Sequence, residues 1–174
     1  MRATHVSVLR LLAISLILTA CKGSDSTTGT NSNNNQNNTT TCTTTKYTAT
    51  VNGSAWCAVS TAANYYAAQQ QLVITGSGLI STVAWNITLS VSSITAAGTY
   101  NLNSLAPLRF SLISNSNGAS YSSNNTGGSG TITFTTFTTT HVVGTFTITA
   151  PVTSGGTGTA TVAGGSFDVT LTPG

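Results

Sequence analysis

The segment STVAWNITLSV, residues 81–91, puts Val83, Trp85, Ile87, Leu89 and Val91 on one side of an extended chain. Thr82, Asn86, Thr88 and Ser90 fall on the other side. A period of two marks a strand with one buried face and one wet face, and no helix of 3.6 residues per turn sorts those side chains the same way. The stretch KYTATVNGSAWCAVS repeats the signature around Asn52-Gly53, the dipeptide preferred in two-residue hairpin turns. That turn sets Val51 opposite Ser54, Ala49 opposite Trp56 and Tyr47 opposite Ala58. Tyr47, Ala49, Val51, Trp56 and Ala58 then share a core face, and Thr48, Thr50, Ala55 and Cys57 share the outer one.

The pattern recurs to the end of the chain. Tyr100 and Leu102, then Leu108, Phe110 and Leu112 with Arg109 pointing away, then Ile132 and Phe134, mark successive apolar faces. Val142, Phe146 and Ile148, then Ala160 and Val162, then Phe167, Val169 and Leu171 with Asp168 outward, complete the series. The reading gives about nine or ten strands, each with a single apolar face, as antiparallel sheets require. Two architectures bury such faces: a β-sandwich or a partly closed barrel. No crossover helix of useful length separates the strands; one helical turn fits at 62–70. The segments GTFTIT (144–149) and GSFDVT (165–170) echo each other. The echo reads as two similar strands of one sheet, since a solenoid needs more copies.

Composition explains what covers the outside. Charged residues make up 4% of the chain, and Glu is absent. Thr, Ser, Asn and Gly take the polar positions, which suits strands and turns and suits long helices poorly. From Cys21 onward the charges are Lys22, Lys46 and Arg109 against Asp25 and Asp168, a net of +1. These cations form no cluster, so a nucleic-acid partner is excluded on counterion grounds.

The N-terminus reads MRATHVSVLR, LLAISLILTA, then Cys21. A basic start, a short apolar run and small residues before a cut describe a secretory signal. The apolar run from Leu11 to Ala20 is ten residues long, whereas a membrane-spanning helix needs roughly 20. Leu18-Thr19-Ala20-Cys21 resembles a bacterial lipobox, which implies cleavage before Cys21 and lipidation of its sulfur and new amino group. An ordinary cleaved signal leaving Cys21 free or disulfide-bonded is the alternative. Two or more acyl chains anchor stably where one anchors marginally. By analogy with lipoprotein sorting, Lys22 at the next position points to the outer membrane. Residues 22–45, KGSDSTTGTNSNNNQNNTTTCTTT, contain no Leu, Ile, Val or aromatic residue. Such a segment is expected to act as a disordered spacer, spanning roughly 27 Å as a random coil. The expected organisation is therefore signal peptide 1–20, lipidated cysteine and tether 21–45, and β domain 46–174.

The β domain resembles a domain of unknown function found in small secreted lipoproteins, mostly of the Bacteroidetes type. YTATVNGSAWCA matches its N-terminal tvNG-x-x-W hairpin, AAGTYNL its central G-x-Y strand, and VVGTFTITA with GGSFDVTL its final G-x-F pair. The resemblance covers about residues 47–172. It implies an all-β lipoprotein domain and no particular activity.

Candidate site residues are few. After the tether the ionisable side chains other than tyrosines are Lys46, Cys57, Arg109, His141 and Asp168. A paired-carboxylate mechanism lacks its second carboxylate. A Ser-His-Asp arrangement through His141 and Asp168 lacks a nucleophile elbow, so His141 reads as a surface histidine. No catalytic residue, metal ligand or cofactor is expected, and the chain reads as a noncatalytic binding or structural module. Arg109 and Asp168 read as two solvated charges, with a cross-strand pair as the sharper alternative. Cys42 and Cys57 are the candidate disulfide in an oxidising compartment, with two free thiols as the other outcome. Tyr65 and Tyr66 are the candidate ligand contacts; being adjacent on a strand, only one can face the core. Besides the membrane reached through the lipid, an envelope protein or a glycan is the expected partner class. The threonine runs suggest an ice-binding array, but the wet face of a strand accounts for them more simply.

Overall fold

The computed structural model describes residue 42, residues 46–105 and residues 107–174. The expected signal peptide, the expected lipobox at Cys21 and most of the expected tether lie outside the described residues. Twelve strands follow in order: β1 Tyr47–Val51, β2 Ser54–Tyr66, β3 Gln71–Ile80, β4 Val83–Val91, β5 Gly98–Asn101, β6 Asn103–Leu105, β7 Leu108–Asn115, β8 Ser120–Ser122, β9 Ser129–Phe137, β10 His141–Ser154, β11 Thr159–Thr170 and β12 Thr172–Pro173. One 3-10 turn, Ala67–Gln69, is the sole helical element among the described residues. The helical turn expected over 62–70 thus shrinks to three residues. Ala62–Tyr66 instead stays in β2, where it finds ladder partners on β3.

Eight strands close into an antiparallel barrel in the order β1-β2-β3-β4-β7-β8-β10-β11, with β11 returning to β1. β10 is 14 residues long and serves two neighbours on one edge. Val142–Thr149 pairs with β9, while Val152 and Ser154 pair with β8. β5 extends the sheet beyond β9, β6 adds to β7, and β12 lies parallel to β2. Bulges bend the long strands round the barrel. β11 carries one extra residue relative to both β10 and β1 at Ala163–Gly164. Gly164 sits there at φ +57°, a left-handed conformation in which a side chain is strained.

The hairpin β1–β2 has the register set by Asn52-Gly53, whose φ values are both positive. Ala49 pairs with Trp56 and Val51 with Ser54, and all five expected core residues of the hairpin are buried. Tyr47 and Trp56 fill the barrel. Their rings meet edge to face at 5.2 Å, and Tyr47 also lies 5.6 Å from Phe146. The Tyr47 hydroxyl donates to the Ile87 carbonyl at 3.3 Å, and the Trp56 indole N–H donates to the Trp85 carbonyl at 3.2 Å. Burial pushes the Tyr47 phenol well above its ordinary pKa, so it stays a neutral donor. Both rings cross β3 to reach β4, through room left by two glycines. A Cβ on Gly76 would fall 2.5 Å from Tyr47 Cδ1, and one on Gly78 would fall 2.8 Å from Trp56 Nε1.

The echo of GTFTIT and GSFDVT has a packing reason. β10 and β11 are neighbours, with Gly144 opposite Phe167 and Phe146 opposite Gly165. Each phenyl ring lies over the glycine of the other strand. A Cβ on Gly165 would fall 2.5 Å from Phe146 Cε1, and one on Gly144 would fall 2.6 Å from Phe167 Cζ.

β7 departs from the expected face. Leu108 and Leu112 are 43% and 38% exposed, while Ser111 and Ile113 are fully buried. Ladder partners share a face, and Ile87, Leu89 and Val91 of β4 pair with Ile113, Ser111 and Arg109. The inward set is therefore the odd-numbered one. The buried serine is held by its backbone, whose N–H donates to Ser123 Oγ at 2.9 Å. Ser123 Oγ in turn donates to the Leu102 carbonyl. Arg109 points toward the barrel end, its guanidinium 4.8 Å from the Tyr100 ring centroid and its Nε donating to the Ser92 carbonyl at 2.9 Å.

Candidate functional site

The barrel interior is packed with rings, so ligand contacts must be sought outside. The outward face of β5, β9, β10, β11 and β1 carries hydroxyls in register. Thr99 pairs with Thr133, Thr133 with Thr145, Thr145 with Ser166, and Ser166 with Thr48. One row of hydroxyls thus crosses five strands. Its Thr99–Thr133 and Thr48–Ser166 hydroxyls are hydrogen-bonded at 2.9 Å and 3.0 Å. In the neighbouring row Thr131 and Thr147 are bonded at 3.1 Å. Strand alternation produces this face: every second residue of TITFT (131–135) and GTFTIT (144–149) is a threonine, and the residues between are buried.

Two shallow depressions run along this face and share Thr145 and Ser166. One is lined by Thr131, Thr133 and Thr147, and the other reaches Lys46, Thr135 and Asp168. The second ends in a small ionic cluster. His141 Nε2 lies 2.8 Å and Lys46 Nζ 3.5 Å from the same oxygen, Asp168 Oδ1. The hydrogen bond from His141, and then the Lys46 ammonium, hold the Asp168 carboxyl below its ordinary pKa.

This cluster brings together the histidine and aspartate of the triad drawn from sequence, and among the described residues the hydrogen bond recorded for the His141 ring goes to Asp168. Thr138 Oγ, three residues from His141, accepts the His141 backbone N–H at 2.9 Å and donates to the His141 carbonyl at 3.0 Å. Arg109 and Asp168 do not pair: Arg109 on β7 is committed to the Ser92 carbonyl and the Tyr100 ring of β5, and Asp168 to His141 and Lys46. Register explains the outcome, because Asp168 faces Val143 across β10–β11 and receives His141 diagonally on the same outer face. Among the described residues, no group of three His, Cys, Asp or Glu side chains stands ready for a metal.

Cys42 and Cys57 are joined in a disulfide with Cα atoms 5.7 Å apart. Cys57 is on the outer face of β2, so the bridge ties residue 42 to the outside of the barrel. Tyr65 is 9% exposed and meets Phe137 edge to face at 5.3 Å, which takes it out of reach of a surface ligand. Tyr66 remains 37% exposed, with Gly174 against its ring. The two tyrosines therefore form no joint platform. Sequence reasoning noted the threonine runs but missed their alignment into rows, which depends on the register of five strands. It also missed Lys46 as the partner of Asp168.

No curated protein and no solved structure matches the chain. Residues 43–169 match a family described as a domain of unknown function, DUF6252. That span takes in the barrel from before β1 to the penultimate residue of β11, including the hairpin, the paired Gly-x-Phe strands and the hydroxyl face, and the chain belongs to that family.

Proposed function

We propose that this chain is a noncatalytic lipoprotein of the bacterial cell envelope that binds through the outer surface of its barrel. The observation that carries this reading is the distribution of chemistry. The interior is filled by Tyr47, Trp56, Phe134, Phe146 and Phe167, and the outward face of β9–β10–β11 offers hydroxyls and two adjoining depressions. Polar residues outside and apolar ones inside reverse the arrangement of a barrel that spans a bilayer with its own strands. Membrane attachment then falls to the lipids on Cys21, with Lys22 directing the chain to the outer membrane. Residues 22–41 are then the spacer between the anchor and Cys42, where the disulfide to Cys57 ties the chain to the barrel.

Expression of the full chain in a bacterial host with a clickable palmitate tests the anchor. The expected result is label on the wild type, recovery in the outer-membrane fraction, and loss of both in Cys21→Ser. Unlabelled wild-type protein in the soluble fraction would rule out the anchored reading.

A further inference from the structure

The hydroxyl face of β9–β10–β11 is specific enough in its chemistry to define a ligand class. Each hydroxyl can donate once and accept twice, so a cross-strand pair such as Thr131–Thr147 keeps one donor and spare acceptor sites for a ligand. The face therefore suits a partner that is itself rich in hydroxyls. Asp168 adds a stronger acceptor at one end of the groove. Both its partners, His141 Nε2 and Lys46 Nζ, sit on Oδ1, and among the described residues none is recorded on Oδ2. A carboxylate oxygen beside a hydroxyl-lined groove can accept from ligand hydroxyl groups, in hydrogen bonds stronger than neutral ones.

Competing occupants fit less well. One carboxylate flanked by Lys46 and His141 gives no excess of either sign, so neither a polyanion nor a polycation is drawn to it. A second copy of this chain needs a largely apolar interface core, and apart from Phe146, Val143 and Phe167 the groove is lined by threonines, Ser166, glycines, Lys46 and Asp168. A rigid crystalline surface such as ice needs the rows to lie in one plane. Neighbouring strands rotate by roughly 20–25°, so a row crossing five strands curls away from any plane, whereas a flexible chain can follow it. We propose that this groove binds a linear neutral polysaccharide, with Thr133, Thr145, Thr147 and Ser166 hydrogen-bonding its hydroxyls and Asp168 Oδ2 accepting at one end. The proposal deepens the binding-module reading by naming the ligand of the same face.

Affinity electrophoresis of the full chain through gels carrying amylose, dextran, galactomannan or a β-1,3-glucan tests it, with alginate as the anionic control. Retardation by a neutral polymer and none by alginate is expected. The double variant Thr133→Val/Thr145→Val removes two hydroxyls at nearly constant shape and should weaken binding about tenfold or more. Thr133→Ser/Thr145→Ser restores the hydroxyls and should restore binding, and an unchanged melting temperature shows that each variant is folded. Absence of binding to every neutral polymer, binding of alginate alone, or equal binding by the valine variant would each overturn the proposal. Ice shaping by the wild type that the valine variant loses would overturn it in favour of a lattice. The palmitate label reads out separately, so an anchored protein that binds none of these polymers sinks this inference and leaves the envelope reading standing.

Discussion

Strands β10 and β11 present two faces that obey different rules. Their inner face carries Gly144, Phe146, Gly165 and Phe167, each ring seated over the glycine opposite. Their outer face carries Thr145, Thr147, Ser166 and Asp168, which meet water, one another, and His141 and Lys46. The same backbone ladder supports both. On the inside a single methyl group decides whether two rings fit, because interiors are close-packed. On the outside a change of one atom type leaves the packing untouched and alters only what can be hydrogen-bonded. The G-x-F segments at 144–146 and 165–167 record the inner rule, and the residue between each glycine and phenylalanine is left free for the outer one.

Placing the same substitution at adjacent positions breaks this comparison most sharply. Gly165→Val drives a branched side chain into the Phe146 ring and should cost roughly 3 kcal/mol or more. Against a total of about 5–15 kcal/mol that is enough to lower the melting temperature by some ten degrees or to prevent folding. Ser166→Val, one residue on, points outward on a strand and should shift stability by less than about 0.5 kcal/mol. Equal losses in the two variants, measured by thermal unfolding, would dissolve the distinction between the faces.

One outward position should behave as expensively as an inward one. Cys57 closes a disulfide to Cys42 across a sequence separation of 15 residues. In the chain-entropy account such a loop contributes about 3 kcal/mol by constraining the unfolded chain. The double variant Cys42→Ser/Cys57→Ser, or the reduced wild type, should lose that amount in denaturant unfolding without altering the aromatic near-ultraviolet signal of the core. Two free thiols in non-reducing mass spectrometry would remove the reason for it.

A double-mutant cycle gives a smaller but cleaner number. Gly144→Ala crowds Phe167, and Phe167→Leu shortens the ring that is crowded. The two changes should couple by about 1 kcal/mol, with Phe167→Leu costing less in the Gly144→Ala background than alone. Additive losses would mean that strain at Gly144 comes from the Thr133 carbonyl behind it, rather than from the reciprocal ring.

How much of this was legible depends on what fixes register. The hairpin from Tyr47 to Ala58 could be read residue by residue, because a two-residue Asn-Gly turn leaves one pairing and alternation does the rest. β9, β10 and β11 gave up their inner faces for the same reason: large apolar residues stand clear of threonines. β7 did not, because Leu108, Phe110 and Leu112 outnumber Ile113 as apolar residues while pairing with β4 places Ile113 inside. Ser111 is buried with its own hydroxyl unpaired, and only its backbone N–H bonds Ser123, a partner 12 residues away that no local pattern announces. The hydroxyl rows and the Lys46–Asp168–His141 cluster were illegible on similar grounds. Their residues come from strands as far apart in sequence as Thr48 and Ser166, and only the closed order of the barrel aligns them.

Titration of Asp168 offers the smallest effect and tests the outer face alone. Its carboxyl is held below the ordinary range first by the hydrogen bond from His141 and then by Lys46, and it is half-exposed. A carboxylate whose folded pKa is depressed contributes stability above its unfolded pKa of about 3.9. That contribution is lost as pH falls through the lower folded value. The melting temperature of the wild type should therefore exceed that of Asp168→Asn near neutral pH, and the gap should close on the acid side of about pH 4. Because exposed ion pairs contribute little and are screened, the gap should shrink further in about 1 M salt. A gap that instead widened toward acid would mean that the carboxylate is worse off in the folded protein than in the unfolded chain. His141 and Lys46 would then not be its partners in solution, and the groove would lose the acceptor that the polysaccharide reading places at its end.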